Sequence, residues 1–181
     1  MKSKSKNTLR AAALAFGLAS FSATAAVDMF LQIGEIKGES RDEKFKDAID
    51  VLAWSWGASS GFDGRGKGNI SPCIQDLSLT KWIDLATGDL MMGMMMGIEY
   101  PSATLTVRKA GQDPLEYIVI TFNDVRISSV STGGSGGEDR LTENISLNFD
   151  SADWTYTQQD ERGGARNQSK ATLEGSTGAC R

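Results

Sequence analysis

The methionines are the residues of this chain whose type and spacing point most directly to chemistry. Five of them lie within six positions, in the run MMGMMM from Met91 to Met96. Thioether sulfur is a soft ligand that selects Cu(I), and a helix would place Met91, Met94 and Met95 near one another. Methionine also fills irregular gaps in cores and interfaces. This packing role is favoured because no histidine or cysteine joins the cluster, so we expect no metal and no other cofactor.

Histidine is absent from the whole chain. This excludes Ser-His-Asp and Cys-His catalysis as well as histidine-ligated metals. The acidic pair Glu138 and Asp139 follows a glycine-rich stretch that lacks the ending of a phosphate-binding loop and precedes a strand. No nucleophile has a base beside it, and the pair is favoured as solvated charge or as an inter-subunit partner of Arg140. The sequence therefore predicts no enzymatic activity and no catalytic residues.

Two cysteines, Cys73 and Cys180, are too few for a structural zinc site. In an oxidising compartment they can pair as a disulfide that ties the C-terminal tail to a loop. Two unpaired thiols are the alternative, and the residues alone leave both open.

The first 25 residues differ from the rest and predict a cleaved signal peptide. An apolar run from Ala11 to Phe21 ends in the small-x-small pattern of Ala23 and Ala25, and it is shorter than the ~20 residues that a membrane-spanning helix needs. It follows a head with four basic residues: Lys2, Lys4, Lys6 and Arg10. Removing these four from 19 basic residues leaves 15 against 23 acidic ones, a formal charge of −8. That charge argues against nucleic acid or a membrane as partner of the mature chain.

Alternating apolar and polar residues predict about eight strands. The clearest runs from Leu141 to Phe149, where apolar residues share one face that only Glu143 interrupts. A second is the segment IDVLAWSW. The others are VDMFLQI, IQDLSLTKW, SATLTVRK, LEYIVITF, DVRISSVS and DWTYT.

Alternation within IDVLAWSW assigns its side chains to two faces. Leu52, Trp54 and Trp56 share one face, and Ala53 and Ser55 lie on the other. Burial of the tryptophans would therefore leave Ser55 facing away from the core.

One segment has helical spacing instead, from Thr87, a candidate N-cap, to Gly97, with Leu90, Met91, Met94 and Met95 on one face. Three stretches are predicted to be irregular: 57–73, 131–140 and a polar, mobile tail over 159–181. The sum is a mainly β fold, an antiparallel barrel or two-sheet sandwich with one α-helix.

Four stretches carry a resemblance to a known family. They are AVDMFLQIGEIKGESRDEKFKDAIDVLAWSWGASSG, QDLSLTKWID, YPSATLTVRKAG and EYIVITFNDVRISSVSTGGSGGEDRLTENISLNF. They resemble the hemolysin-coregulated protein (Hcp) family, the tube subunits of bacterial type VI secretion systems. The resemblance implies a non-enzymatic, two-sheet antiparallel β-barrel domain over 26–158. It also implies hexameric rings that stack into a hollow tube, and self, spike, sheath and effector proteins as partners.

The resemblance also implies site residues. Ser55 matches the lumen-facing serine linked to cargo, and Met91, Met94 and Met95 lie on the helix that the family turns toward the inner wall. There they would hold cargo or, alternatively, pack between subunits. Contacts to neighbouring subunits or rings are expected from two loops: Gly61, Phe62 and Asp63 in the first, and Gly133, Gly134, Glu138, Asp139 and Arg140 in the second.

Three departures from the family leave two functions open. Ordinary tube proteins have no cleavable signal. Met94 to Met96 replace a turn that contains Cys, Ser or Thr, and ATLEGSTGACR replaces a last strand with a Gly-Trp ending. A missing strand would leave an open sheet edge and affect ring closure. The first function is a secreted tube subunit that carries effectors. The second is an exported Hcp-like binding module in the periplasm or outside the cell.

Overall fold

The computed structural model of the chain describes residues 27–61, 71–109 and 114–174. The predicted signal peptide therefore lies outside the described residues, as do Phe62, Asp63 and Cys180. In chain order the elements are β1 (Val27–Ile33), β2 (Ile49–Ser55), β3 (Ala58–Gly61), β4 (Ser71–Ile74), β5 (Leu77–Trp82), α1 (Ala86–Met96), β6 (Glu99–Lys109), β7 (Leu115–Thr132), β8 (Thr142–Asn148), β9 (Ser151–Gln159) and β10 (Ala165–Glu174).

The main sheet closes on itself. Its eight antiparallel strands follow the order β10-β9-β7-β6-β1-β2-β5-β8, and β8 also pairs with β7. Six strands thus form a barrel, and the β9–β10 hairpin extends from β7 outside that circuit. The strands β3 and β4 form a separate two-stranded sheet. The predicted mainly β barrel with one helix is confirmed.

Strand β7 serves two parts of the sheet because it bends. Its first half, up to Asn123, pairs with β9, and its second half, from Arg126, pairs with β8. Between them Asp124 adopts a left-handed φ of 54°, a conformation that aspartate tolerates better than most residues. The two strands predicted for this segment are therefore one bent strand.

The core fills the barrel and follows the predicted alternation in β8. Ile145 and Leu147 are buried, and Phe149 is buried just after the strand. Around them lie side chains from the other strands of the barrel: Leu31, Ile33, Ile49, Leu79, Leu105, Ile120 and Phe122. At roughly 1.5–3 kcal/mol for each large apolar side chain buried, this cluster is the main source of stability.

Two segments predicted to be irregular contain strands. The stretch 57–73 holds β3 and most of β4, and the tail contains β10, which pairs with β9 from Ala165 to Glu174. Nine of the ten side chains of β10 are exposed, so the strand has no apolar face and no two-residue period to reveal it. The expectation of irregular backbone is thus wrong for residues 165–174, whereas the mobility of the tail stays a prediction.

Helix α1 begins one residue before the predicted start and ends at Met96, with Gly97 in the left-handed conformation at φ 62°. Thr87 is not the N-cap. It lies inside the first turn, where its hydroxyl accepts from the Asp84 N–H at 3.2 Å. The helix packs on the barrel through Gly93, where an added Cβ would collide with the Tyr100 hydroxyl. Burial raises the pKa of that tyrosine above its ordinary value, with a smaller contribution from the Asp89 carboxylate.

Ion pairs of Arg108 attach the loop between β1 and β2 to the barrel. The Arg108 guanidinium donates to Asp28 at 2.9 Å and to Asp42 at 2.5 Å, and it lies over the stacked rings of Phe30 and Phe45. Its hydrogen bond holds the pKa of Asp42 below the ordinary carboxyl value. The pKa of Arg108 is raised in turn, chiefly by the same bond.

Candidate functional site

A β-bulge in β2 determines which way Ser55 faces. The register with β5 shifts between Val51 and Ala53, so Val51 is buried before the bulge and Trp54 packs on the core after it. Leu52 is only half-buried and lies outside the core cluster, which corrects the expectation that it shares the face of the tryptophans. Ser55 is exposed on the side opposite Trp54, as the alternation predicts.

Strand register aligns Ser55 with three further serines. Ser55 is opposite Ser78, Ser78 is opposite Ser146, and Ser146 is opposite Ser129. Directly opposed residues point to the same side of a sheet. With strands about 4.8 Å apart, the row crosses four strands and spans roughly 14 Å.

A second row runs beside the first, through Ala53, Thr80, Asn144 and Ser131. The Thr80 hydroxyl donates to Asn144 at 2.7 Å. We call the eight residues of the two rows the serine face. A shallow depression of about 330 Å³ lies over it, and its lining contains no ionisable side chain. This depression can therefore exchange hydrogen bonds but offers no acid, base or fixed charge.

A buried ionic cluster lies behind the serine face and joins two of the four strands that form it. Lys81 of β5 is opposite Glu143 of β8, and the ammonium donates to Glu143 at 2.6 Å and to Asp84 at 2.7 Å. All three side chains are at most 3% exposed. The Thr87 hydroxyl donates to Glu143 at 2.9 Å, and Asp84 accepts from the Ala86 N–H at 2.9 Å. The cluster thus joins β5, β8 and the start of α1.

Sequence reasoning missed this cluster. In the sequence, Glu143 is recognisable only as a charged residue that interrupts the apolar face of the run from Leu141 to Phe149. The available signal was that Lys81 is likewise a charged residue at an inward position of its strand. Two opposite charges on the inward faces of two strands indicate a buried ion pair. Only the register between β5 and β8 shows that Lys81 and Glu143 are directly opposite each other.

Comparisons with known proteins identify the family to which this chain is similar. The family model described as "Type VI secretion system effector, Hcp" matches residues 30–156. Protein hcp1 of Pseudomonas aeruginosa is 53% identical over 138 residues, which cover 74% of this chain and 85% of that protein.

The chain belongs to the Hcp family.

Solved structures of type VI proteins have the same fold. A structure described as that of a type six secretion system protein superposes with a TM-score of 0.76 at 28% identity, over 82% of this chain and 96% of that one. Hcp1 from Salmonella typhimurium gives a TM-score of 0.68 at 34% identity, over 82% and 95%. The function of this Hcp chain is accordingly that of a structural tube subunit of the type VI secretion system. Hcp proteins are secreted by that system.

The predicted contact residues of the second loop border the serine face, because Gly133, Gly134 and Glu138 line one depression together with Ser131 and Asn144. Residues 133–140 form an exposed loop after β7, which includes Gly133, Gly134, Glu138, Asp139 and Arg140. Arg140 turns back onto its own barrel, 5.1 Å from the Trp82 ring and 3.6 Å from the Glu39 carboxylate. Gly61 ends β3. The roles of these residues in ring contacts stay predictions, since a single chain does not test them.

The predicted helix residues divide between two environments. Met91 and Met94 are half-buried, whereas Met95 is 77% exposed. The stripe that meets the barrel comprises Ala86, Leu90 and Gly93, and Met95 lies on the opposite side of the helix.

Cys73 lies in β4, and its pairing with Cys180 stays a prediction. No helix among the described residues is long and apolar enough to cross a membrane, and the same residues hold no group of three His, Cys, Asp or Glu placed to bind a metal.

Proposed function

We propose that this chain closes into hexameric rings that stack into a tube, with the serine face turned to the lumen as the surface that holds effector cargo. Membership of the Hcp family supports the tube. The observation that carries the cargo role is the four-serine row across β2, β5, β8 and β7. Small neutral hydroxyls bind many polar surfaces weakly, which suits a carrier that must release its cargo.

Two measurements test the assembly. Light scattering of the purified chain over a range of concentrations should give the mass of six chains, and electron microscopy should give rings. A chain that stays monomeric at high concentration would contradict the ring proposal. The proposed spike and sheath partners follow from the same family membership and are tested by co-purification from a cell that has the apparatus.

Substitution tests the serine face separately from the ring. Ser55→Gln and Ser129→Gln each extend a bulkier amide from this face, so each should reduce the amount of co-expressed type VI effector that co-purifies with the ring. Ser169→Gln is the matched control, because Ser169 is an exposed strand serine on β10. Loss of the ring in Ser55→Gln would place that residue at an interface instead, and unchanged effector recovery in both variants would contradict the cargo role.

We also propose that residues 1–25 act as an export signal that gives this protein a periplasmic stage. Cleavage after Ala25 leaves β1 whole, because that strand begins at Val27. N-terminal sequencing of the protein recovered from periplasm and medium tests this. A mature chain starting at Ala26 is expected, and a secreted protein that retains Met1 would contradict it.

A further inference from the structure

The outer face of α1 carries three methionines. Met92 is 57% exposed, Met95 77% and Met96 67%. Their positions are related as i, i+3 and i+4, so their Cβ atoms are neighbours on one side of the helix, about 5–6 Å apart for such pairs. Flexible thioether side chains at that spacing can bring three sulfur atoms to one point.

Packing within the chain does not account for these three side chains. The helix meets the barrel through Ala86, Leu90 and Gly93, and Met94 packs against the core from the edge of that stripe. Methionine as a core filler therefore explains Met94 but leaves the outward three unexplained. The sequence favoured packing in the core or between subunits for all five methionines, and the core accounts only for those on the half-buried side.

The electrostatic setting favours a cation at this face. Met95 and Met96 lie in the last turn, which contains no basic residue, and the C-terminal end of a helix carries partial negative charge. Glu99 follows three residues later, and the nearby Arg126 is held in an ion pair with it. Asp89 adds a carboxylate in the first turn. Soft thioether ligands select soft metal ions over hard ones, and Cu(I) is the biological ion of that class.

We propose that Met92, Met95 and Met96 form a three-thioether site for a soft monovalent cation of the Cu(I) class. The site binds the ion without changing its oxidation state. It lies on the opposite side of α1 from the stripe that packs on the barrel. The proposal is independent of the cargo role of the serine face.

A Cu(I) titration of the full chain tests the site. The protein is titrated anaerobically against a chromophoric Cu(I) chelator, and Ag(I) is titrated calorimetrically as a redox-inert substitute. One ion per chain is expected. The triple variant Met92→Leu, Met95→Leu, Met96→Leu should lower the affinity by more than about tenfold, and since Leu and Met have similar volumes its fold should persist by circular dichroism.

The same helix supplies the matched control. Met91→Leu with Met94→Leu removes two thioethers from the half-buried side and should leave the affinity within about twofold of the parent chain. Methyl resonances of Met92, Met95 and Met96 in a ¹³C-methionine NMR spectrum should shift on addition of Ag(I). Three results would each overturn the proposal: no uptake by the parent chain, equal uptake by the triple variant (which would assign the ion to other groups of the chain), or equal losses in both variants.

Discussion

Replacing Lys81 by methionine should destabilise this protein more than any exposed lysine substitution. The ammonium is fully buried and bonds Glu143, Asp84 and the Trp82 carbonyl within 2.7 Å. Its removal leaves two buried carboxylates facing each other without a cation. Breaking a buried ion pair from one side costs about 3–5 kcal/mol. At about 2–4 °C per kcal/mol for a domain of this size, a loss of about 4 kcal/mol lowers Tm by about 8–16 °C.

Urea unfolding and calorimetry measure this loss against two comparison variants. Lys44→Met removes a solvent-exposed lysine that pairs with Glu116, and it should cost less than about 1 kcal/mol. The double variant Lys81→Met, Glu143→Leu replaces the pair by apolar side chains, and it should be more stable than Lys81→Met alone because one stranded charge is gone.

Two results would refute the reasoning. One is a Lys81→Met chain within about 1 kcal/mol of the parent. The other is a double variant no more stable than the single one. If Lys81→Met does not fold, Glu143→Gln provides the test, because it keeps the side-chain shape and the bond to Lys81. It should cost about 1–3 kcal/mol, and no measurable cost would count equally against the cluster.

Three further substitutions have expected outcomes. Gly38→Ala would place a Cβ 2.7 Å from the Ile49 Cα, where the backbone cannot yield, so Tm should fall clearly in calorimetry. Gly93→Ala should cost about 1–3 kcal/mol in urea unfolding, and adding Tyr100→Phe should recover part of that loss because the hydroxyl is the nearest atom. Asp42 has a pKa below its unfolded value of 3.8, so its stabilising effect is complete above pH 3.8 and is lost as the pH falls through the lower folded value. Asp42→Asn should therefore be less stable than the parent at pH 7 and lose less stability on acidification, as measured by Tm between pH 7 and 2.

The strands of the barrel could be predicted because each has one apolar face. The run from Leu141 to Phe149 shows the two-residue period that a half-buried strand requires, and β8 follows it. The helix could be predicted for a related reason, since Leu90 and Gly97 mark its buried side and its end. These signals are local, and burial on one side imposes them on the sequence.

The strands β3, β4 and β10 could not be predicted in this way. The strands β3 and β4 have four residues each, too few to show a two-residue period, and β10 has only one half-buried side chain, Leu173. The β-bulge before Trp54 in β2 also could not be predicted from the sequence. It changes the inward face within one strand, and only the pairing with β5 reveals it.

The serine face was predicted in part. Alternation placed Ser55 away from the core, but the row through Ser78, Ser146 and Ser129 depends on the register of four strands. Register is a property of pairing rather than of any single segment. The same reason hid the bond between Lys81 and Glu143.

The closure of β8 onto β7 limits how copies of this chain can join. Within the eight-stranded sheet it leaves one free edge, that of β10, and this edge carries Arg166 and Lys170. Two copies joined through β10 would be related by a two-fold axis, and such a pair has no edge of that sheet left for a third copy. A ring needs two different surfaces on every subunit. If strand pairing contributes to it, β10 must meet an edge of another kind, and among the described residues the two-stranded sheet of β3 and β4 offers one.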